Sequence, residues 1–210
     1  MANTRRLARK PASQYHHGDL RRALLEAAVR TIQKQGVHAL TLRAVGDDLG
    51  VSRTALYRHF ADKAALLAAV AREGFQGFSR ELREAWNADS GGLQGFRAMG
   101  AAYIRFAREN PAHYRIMFGQ FRDLCDSDPA LADDASASFQ VLLDALAALE
   151  RDGAIPAGGD RHALGHFIWA SMHGAAMLSI DGQLGAGPAA ADALTALMVD
   201  RVSAAIATRP

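Results

Sequence analysis

Cysteine is nearly missing from these 210 residues, with Cys125 standing alone. A single thiol cannot close an intrachain disulfide, so a reducing compartment is the natural expectation. Long apolar runs are missing too: no uninterrupted stretch approaches the ~20 residues needed to cross a bilayer. The basic start, Met1 to Lys10, leads into Pro11-Ala-Ser-Gln-Tyr-His-His rather than an apolar segment, which argues against a secretory signal. A soluble, cytoplasmic chain with no membrane partner is expected. No alternating apolar and polar run suggests a half-buried strand, and there is no internal repeat. Catalytic signatures are absent as well. There is no G-x-S-x-G elbow, no glycine-rich phosphate loop and no recognisable triad. His162 and His166 lie four residues apart, but no H-E-x-x-H pattern and no third ligand accompany them, so no metal is expected. Cys125 sits in Asp123-Leu-Cys-Asp-Ser-Asp, where acids raise rather than lower a thiol pKa and so argue against a reactive nucleophile. These absences point away from an enzyme.

What is present is a core and an uneven charge. Half of the residues are hydrophobic, enough to fold without metals or disulfides. Residues 1 to 63 hold twelve Lys/Arg against five Asp/Glu, a balance of +7, whereas the remainder holds twelve against seventeen, a balance of −5. The small net charge of +2 therefore hides two oppositely charged parts. A basic part suits a polyanion, because neutralising phosphates releases condensed counterions.

The basic part also carries the most informative pattern. Leu42, Val45 and Leu49 recur at three- and four-residue steps, Gly50-Val51-Ser52 interrupts, and Ala55, Leu56 and Phe60 resume the rhythm. Gly50 suits the left-handed end of one helix, and Ser52 suits the cap of the next. This is a helix-turn-helix. Its second helix carries Arg53, Thr54, Tyr57, Arg58 and His59 opposite an apolar face, the shape and chemistry that enter a DNA major groove.

Around this unit the remaining segments read as helices. Residues 1–17 form a basic, proline-containing arm whose Arg5, Arg6, Arg9 and Lys10 can reach a minor groove or phosphates, or else are simply solvated. Asp19 is expected to cap a first helix running to about Gln35 and ended by Gly36. Thr41 caps a second helix, and Asp62 caps a fourth that runs through Phe75, Phe78 and Trp86. Further helices are expected over 93–109, 111–120, about 130–151, 160–182 and 188–207. The expected fold is all-α with about nine helices. Residues 18–63 form a helix-turn-helix head, and 64–210 form a larger helical-bundle body for ligand binding and dimerisation.

Residues 20 to 75 resemble the N-terminal domain of the TetR family of bacterial transcriptional regulators, with Gly36, Thr41, Leu42, Arg43, Gly50-Val51-Ser52, Leu56-Tyr57, Phe60 and Lys63 at the family's spacing. Asn110-Pro-Ala-His-Tyr-Arg-Ile-Met-Phe-Gly119 and Trp169-Ala-Ser-Met-His-Gly174 are similar to the subgroup whose ligand domain is named for a Trp-His-Gly (WHG) signature. The resemblance implies a ligand-responsive regulator, usually a repressor, that binds a palindromic double-stranded operator as a homodimer. It implies that Thr41, Tyr57 and Lys63 hold phosphates, that Arg43, Arg53, Thr54, Arg58 and His59 face the groove, and that Ser52 lies at the same interface. Two departures stand out: Gly46 in place of a residue with a small side chain, and Asp47-Asp48, which are expected to face away from phosphate.

In the acidic part, Leu194, Leu197, Met198, Val202, Ala205 and Ile206 make one apolar stripe. Phe167, Ile168, Met172, Ala175, Ala176 and Leu178 make another, and the resemblance implies that these two helices dimerise. Some of each stripe must face the subunit's own core. Between head and dimer helices, a pocket for a small lipophilic or aromatic effector is expected among Tyr103, Phe106, Tyr114, Met117, Phe139, Trp169 and His173. No other cofactor is expected. An effector-independent DNA-binding protein, and an all-α enzyme or carrier retaining the head, remain as alternatives.

Overall fold

A computed structural model describes residues 17–88, 90–119, 121–184 and 187–207. The basic arm at 1–16 lies outside them. The described residues form α1 (His17–Gln35), a 3-10 turn (Val37–Ala39), α2 (Leu42–Leu49), α3 (Arg53–Tyr57) and α4 (Lys63–Ala88). They continue through α5 (Gly92–Glu109), α6 (Pro111–Gly119), α7 (Phe121–Ser127), α8 (Ala130–Arg151), α9 (Arg161–Ile180) and α10 (Pro188–Ile206). No strand occurs among the described residues, and no helix there is long and apolar enough to cross a membrane. The all-α expectation holds, with ten helices rather than nine. The extra one is α7, an acidic stretch that reads as a turn in sequence but buries Leu124. Asp19 lies inside α1, which begins at His17, so it does not cap the helix.

The chain divides into two compact units, Met1–Leu66 and Leu67–Pro210. In the first, the caps do what their chemistry dictates. Thr41 Oγ1 accepts from Ala44 N at 3.0 Å, Ser52 Oγ from Ala55 N at 3.2 Å and Asp62 Oδ1 from Ala65 N at 2.8 Å. Each satisfies an amide that the first helical turn leaves without a partner, worth about 1 kcal/mol. Gly50 ends α2 with φ 67°, a conformation that costs a side-chain-bearing residue energy. Leu24, Ala28, Leu40, Val45, Leu56 and Phe60 close the core. Gly46 has a physical reason: a Cβ there would lie 3.0 Å from Leu56 Cδ1, so its absence lets α2 and α3 cross closely.

In the second unit α5 packs against α6, α8, α9 and α10, while α9 packs against α5, α8 and α10. Ile104, Tyr114, Met117, Leu131, Leu146 and Leu149 are fully buried. A fully buried Leu or Ile contributes about 1.5–3 kcal/mol of hydrophobic stabilisation. Arg72 of α4 donates from Nε to Asp134 Oδ2 at 2.7 Å and from Nη1 to Asp128 Oδ2 at 3.2 Å, which ties α4 to the start of α8. The hydrogen bond to Asp134 is the chief reason its pKa is raised further. The C-terminal end of α4 meets α5 at Gly95, where a Cβ would stand 2.7 Å from the Trp86 carbonyl oxygen.

Candidate functional site

In the first unit, the apolar face of α3 is anchored by buried Leu56 while Arg53, Thr54 and Tyr57 stay exposed. Tyr57 is 49% exposed, unusual for an aromatic on a helix of five residues with core to fill on its other side. The helix is shorter than its sequence rhythm suggests. Arg58 is the C-cap and His59 follows it, because Arg58 N and His59 N already close the last turn onto Thr54 and Leu56 carbonyls. His59 is half-buried. The exposed polar residues therefore share the outer side of α3 and the turn after it.

Two of the caps keep a proton to donate. Thr41 and Ser52 use a hydroxyl lone pair on a backbone amide, so each hydroxyl proton is still available to a phosphate oxygen. Lys63 Nζ donates to the Val37 carbonyl at 2.9 Å, so one of its three protons fastens the 3-10 turn while two remain. Arg43 is a highly exposed residue, 3.6 Å from Asp47, a pairing that water screens strongly. Asp48 turns instead toward Arg30 of α1 at 3.3 Å. The two acids thus part: Asp48 turns toward α1, and Asp47 shares the edge of Arg43.

The second unit holds a partly open cavity of about 260 Å³ lined by α4, α5, α6, α8, α9 and α10. Of the seven residues expected to line it, Tyr103, Phe139 and Trp169 do. Phe106, Tyr114, Met117 and His173 do not, because they fill the layer behind the wall. Phe106 packs on Phe78 with centroids 5.2 Å apart. Met117 is so close to α4 that a Cβ on Gly74 would lie 2.6 Å from its sulfur. Tyr114 OH donates to Tyr103 OH at 2.9 Å and pairs with His173 Nδ1 at 2.8 Å. A tyrosine has one phenolic proton, so with Tyr114 donating to Tyr103, His173 Nδ1 carries the proton that Tyr114 accepts. Burial pushes both phenols above their ordinary pKa, and burial lowers that of His173. The chain of three groups is therefore neutral at pH 7.

Several wall residues had no distinguishing signal in the sequence. Phe75 and Phe78 were legible as core aromatics but not as cavity walls, and Phe96, Met99, Phe118 and Val202 look like any inward position of their helices. Ser203 lines the cavity, is 2% exposed, and its Oγ has no hydrogen-bond partner. His162 and His166 pack beside Phe139, with centroids 6.4 and 4.8 Å away. The Cys125 thiol is pushed up chiefly by burial, with Asp126 and Asp128 adding to it in the direction expected of the neighbouring acids.

The two apolar stripes each divide between inside and outside. Ile168, Met172, Ala175 and Ala176 of α9 and Val202 and Ile206 of α10 face inward. Phe167, Leu178 and Leu197 remain 55%, 41% and 50% exposed. A Cβ on Gly174, which lies between Phe167 and Leu178 on α9, would meet nothing within 4 Å.

Comparison with known proteins gives a consistent picture. A family model described as bacterial regulatory proteins, tetR family, matches residues 24–70, and one described as tetracyclin repressor-like, C-terminal domain, matches residues 96–202. The HTH-type transcriptional activator FasR of Mycolicibacterium smegmatis is 32% identical over 126 residues, 56% of this chain and 58% of that protein. The HTH-type transcriptional repressor Rv1474c of Mycobacterium tuberculosis is 39% identical over 61 residues, 29% of this chain and 33% of that protein. The chain therefore spans 58% and 33% of the lengths of these two curated relatives. A solved structure from Rhodococcus sp. RHA1, of a protein with unknown function, is similar over 93% of this chain and 99% of that one, with TM-score 0.81 and 30% identity. The ketosteroid transcriptional regulator KstR2 of Mycobacterium tuberculosis shares the fold, with TM-score 0.67 and 19% identity over 97% of this chain and all of that one.

Proposed function

The chain belongs to the tetR family of bacterial regulatory proteins, and from that premise we propose that it is a sequence-specific DNA-binding transcriptional regulator that responds to a small ligand. One observation carries the DNA half of this reading. Arg53, Thr54, Tyr57 and Arg58 are exposed on a helix capped by Ser52, whose hydroxyl proton is free, and the opposite face of that helix is fixed by Leu56. Helix N-termini with open amides favour phosphate, and an arginine in the groove can pair bidentately with guanine. Arg43, His59 and Lys63 complete the contact set we propose.

Members of the family bind operators and generally act as dimers. A two-fold dimer sets two recognition helices about 34–36 Å apart on successive turns of a palindrome. The exposed Phe167, Leu178 and Leu197, with open Gly174 between the α9 pair, support a dimer face made by α9 and α10. The apolar cavity supports a lipophilic or aromatic ligand. Pressure of such a ligand on Phe75 and Phe78 of α4 would favour one arrangement of the heads and change operator affinity by about 1–3 kcal/mol. Trp169, His173 and Gly174 on α9 support placing the body in the Trp-His-Gly subgroup. FasR is an activator and Rv1474c a repressor, and repression is the outcome we propose here.

The test is fluorescence-anisotropy binding of the purified protein to the DNA upstream of its own gene, against excess unrelated DNA. Binding that survives the competitor supports a specific regulator. Binding that the competitor abolishes favours an effector-independent architectural protein.

A further inference from the structure

The ligand cavity is uniform in one respect that its size alone does not reveal. Among the described residues that line it, none carries a charge: the walls are Phe, Met, Leu, Ile, Val, Trp and Ala side chains, with hydroxyls only at Tyr103, Ser138 and Ser203. An ionised group placed against such walls would lose its hydration with no counter-charge to replace it, so it would bind neutral or not at all. The three hydroxyls differ in what they still offer. Ser138 Oγ donates to the Ala135 carbonyl at 2.7 Å, so its proton is committed. Tyr103 OH accepts from Tyr114 OH at 2.9 Å. Ser203 Oγ on α10 has neither donor nor acceptor, although the residue is 2% exposed. A buried hydroxyl without a partner is costly, and native chains keep few of them without a reason.

Resting on the reading of the body as a ligand-binding unit, we infer that Ser203 is the polar anchor of the cavity. The ligand it serves is uncharged and mainly hydrocarbon, with one hydroxyl or carbonyl oxygen placed to meet the serine. A cavity of ~150 Å³ lined by apolar side chains takes a benzene ring. By that measure, 260 Å³ holds roughly ten non-hydrogen atoms. A carboxylate, phosphate or ammonium finds no counter-charge along these walls. Tyr103, whose own phenolic proton is not needed by Tyr114, is a second donor toward the same oxygen or a neighbouring one.

The experiment is isothermal titration of 1-octanol and of octanoate into the full chain at neutral pH, for the wild type and Ser203→Ala, together with melting curves of both proteins without probe. Octanol should bind the wild type and octanoate at least tenfold more weakly. Ser203→Ala should weaken octanol about fivefold, the loss of one net hydrogen bond. The unliganded variant should melt no lower than the wild type, because it sheds a polar group that has no partner. Octanoate binding as well as octanol overturns the neutral-ligand assignment, and octanol binding indifferent to Ser203→Ala overturns the anchor. A variant that melts markedly lower, or does not fold, makes Ser203 structural and also overturns it. No binding of either probe removes the ligand-holding body itself along with the inference.

Discussion

Tyr114→Phe removes one oxygen from the most deeply buried aromatic of the body and should lower stability by about 2 kcal/mol. The hydroxyl donates to Tyr103 at 2.9 Å and pairs with His173 Nδ1 at 2.8 Å, in a side chain with no exposure. Each neutral hydrogen bond contributes about 0.5–1.5 kcal/mol net, and a partner left buried without one costs more. His173 is half-buried and can recover part of its loss in solvent, whereas the Tyr103 hydroxyl is confined. This places the sum near 2 rather than at the upper limit of about 3 kcal/mol. In a domain of this size, about 2–4 °C of melting temperature accompanies each kcal/mol, so the variant should melt about 4–8 °C lower. Differential scanning calorimetry of Tyr114→Phe, His173→Ala and the double variant measures it. The double variant should lose less than the sum of the two singles, because both remove the same bond. A single variant melting within about 1 °C of wild type, or strict additivity, would refute the hydrogen-bonded chain.

Four further outcomes follow from the same geometry. Gly95→Ala should destabilise by at least about 2 kcal/mol in urea titration, because its Cβ meets a backbone oxygen at 2.7 Å that no rotamer change relieves, whereas open Gly174→Ala should gain about 0.5–1 kcal/mol in the isolated subunit. Leu197→Glu should shift sedimentation toward the monomer while leaving helicity intact, since the residue is 50% exposed in the subunit. His113 and His173 are both held below the ordinary histidine pKa by burial, so the unfolded chain binds more protons than the folded one in acid. Stability should therefore be complete above about pH 6.5 and fall as pH drops through the lowered native values, and the urea midpoint should be lower at about pH 5.5 than at about 7.5. Tyr57→Ala should weaken binding to all DNA, and Arg53→Ala should cost about 1–3 kcal/mol at the base it reads and relax preference there. Equal loss on every sequence would remove Arg53 from the reading set.

The head was legible because its signals are local. Thr41, Gly50, Ser52 and Asp62 each act on a backbone group within three residues, so their roles follow from sequence neighbours alone. The seven residues of α7 escaped because their Asp-rich pattern reads as a turn, and only packing of Leu124 justifies a helix. The cavity was legible in kind but not in membership. Helical period tells which residues point inward, as it did for Tyr103 and Tyr114 alike. It does not tell which inward side chains meet a neighbour and which face empty space. That depends on the size of the residue opposite, as at Gly74 against Met117. Ser203 was invisible for the same reason: a serine in an alanine-rich helix carries no periodic signal until its hydroxyl is found without a partner. The two stripes were legible as apolar, yet only the fold separates Ile168 and Met172, facing in, from Phe167 and Leu178, facing out.

On the function proposed above, the outer side of α3 reads DNA sequence as one half of a two-fold pair. Selection of binding sites from random duplex DNA by the purified full chain tests it most directly. One inverted repeat should be enriched, with half-site centres about 34–36 Å apart, and the preferred bases should change at one position per half-site when Arg53→Ala is used. A pool that stays random after repeated selection, or one enriched identically by Arg53→Ala, Tyr57→Ala and wild type, would contradict it.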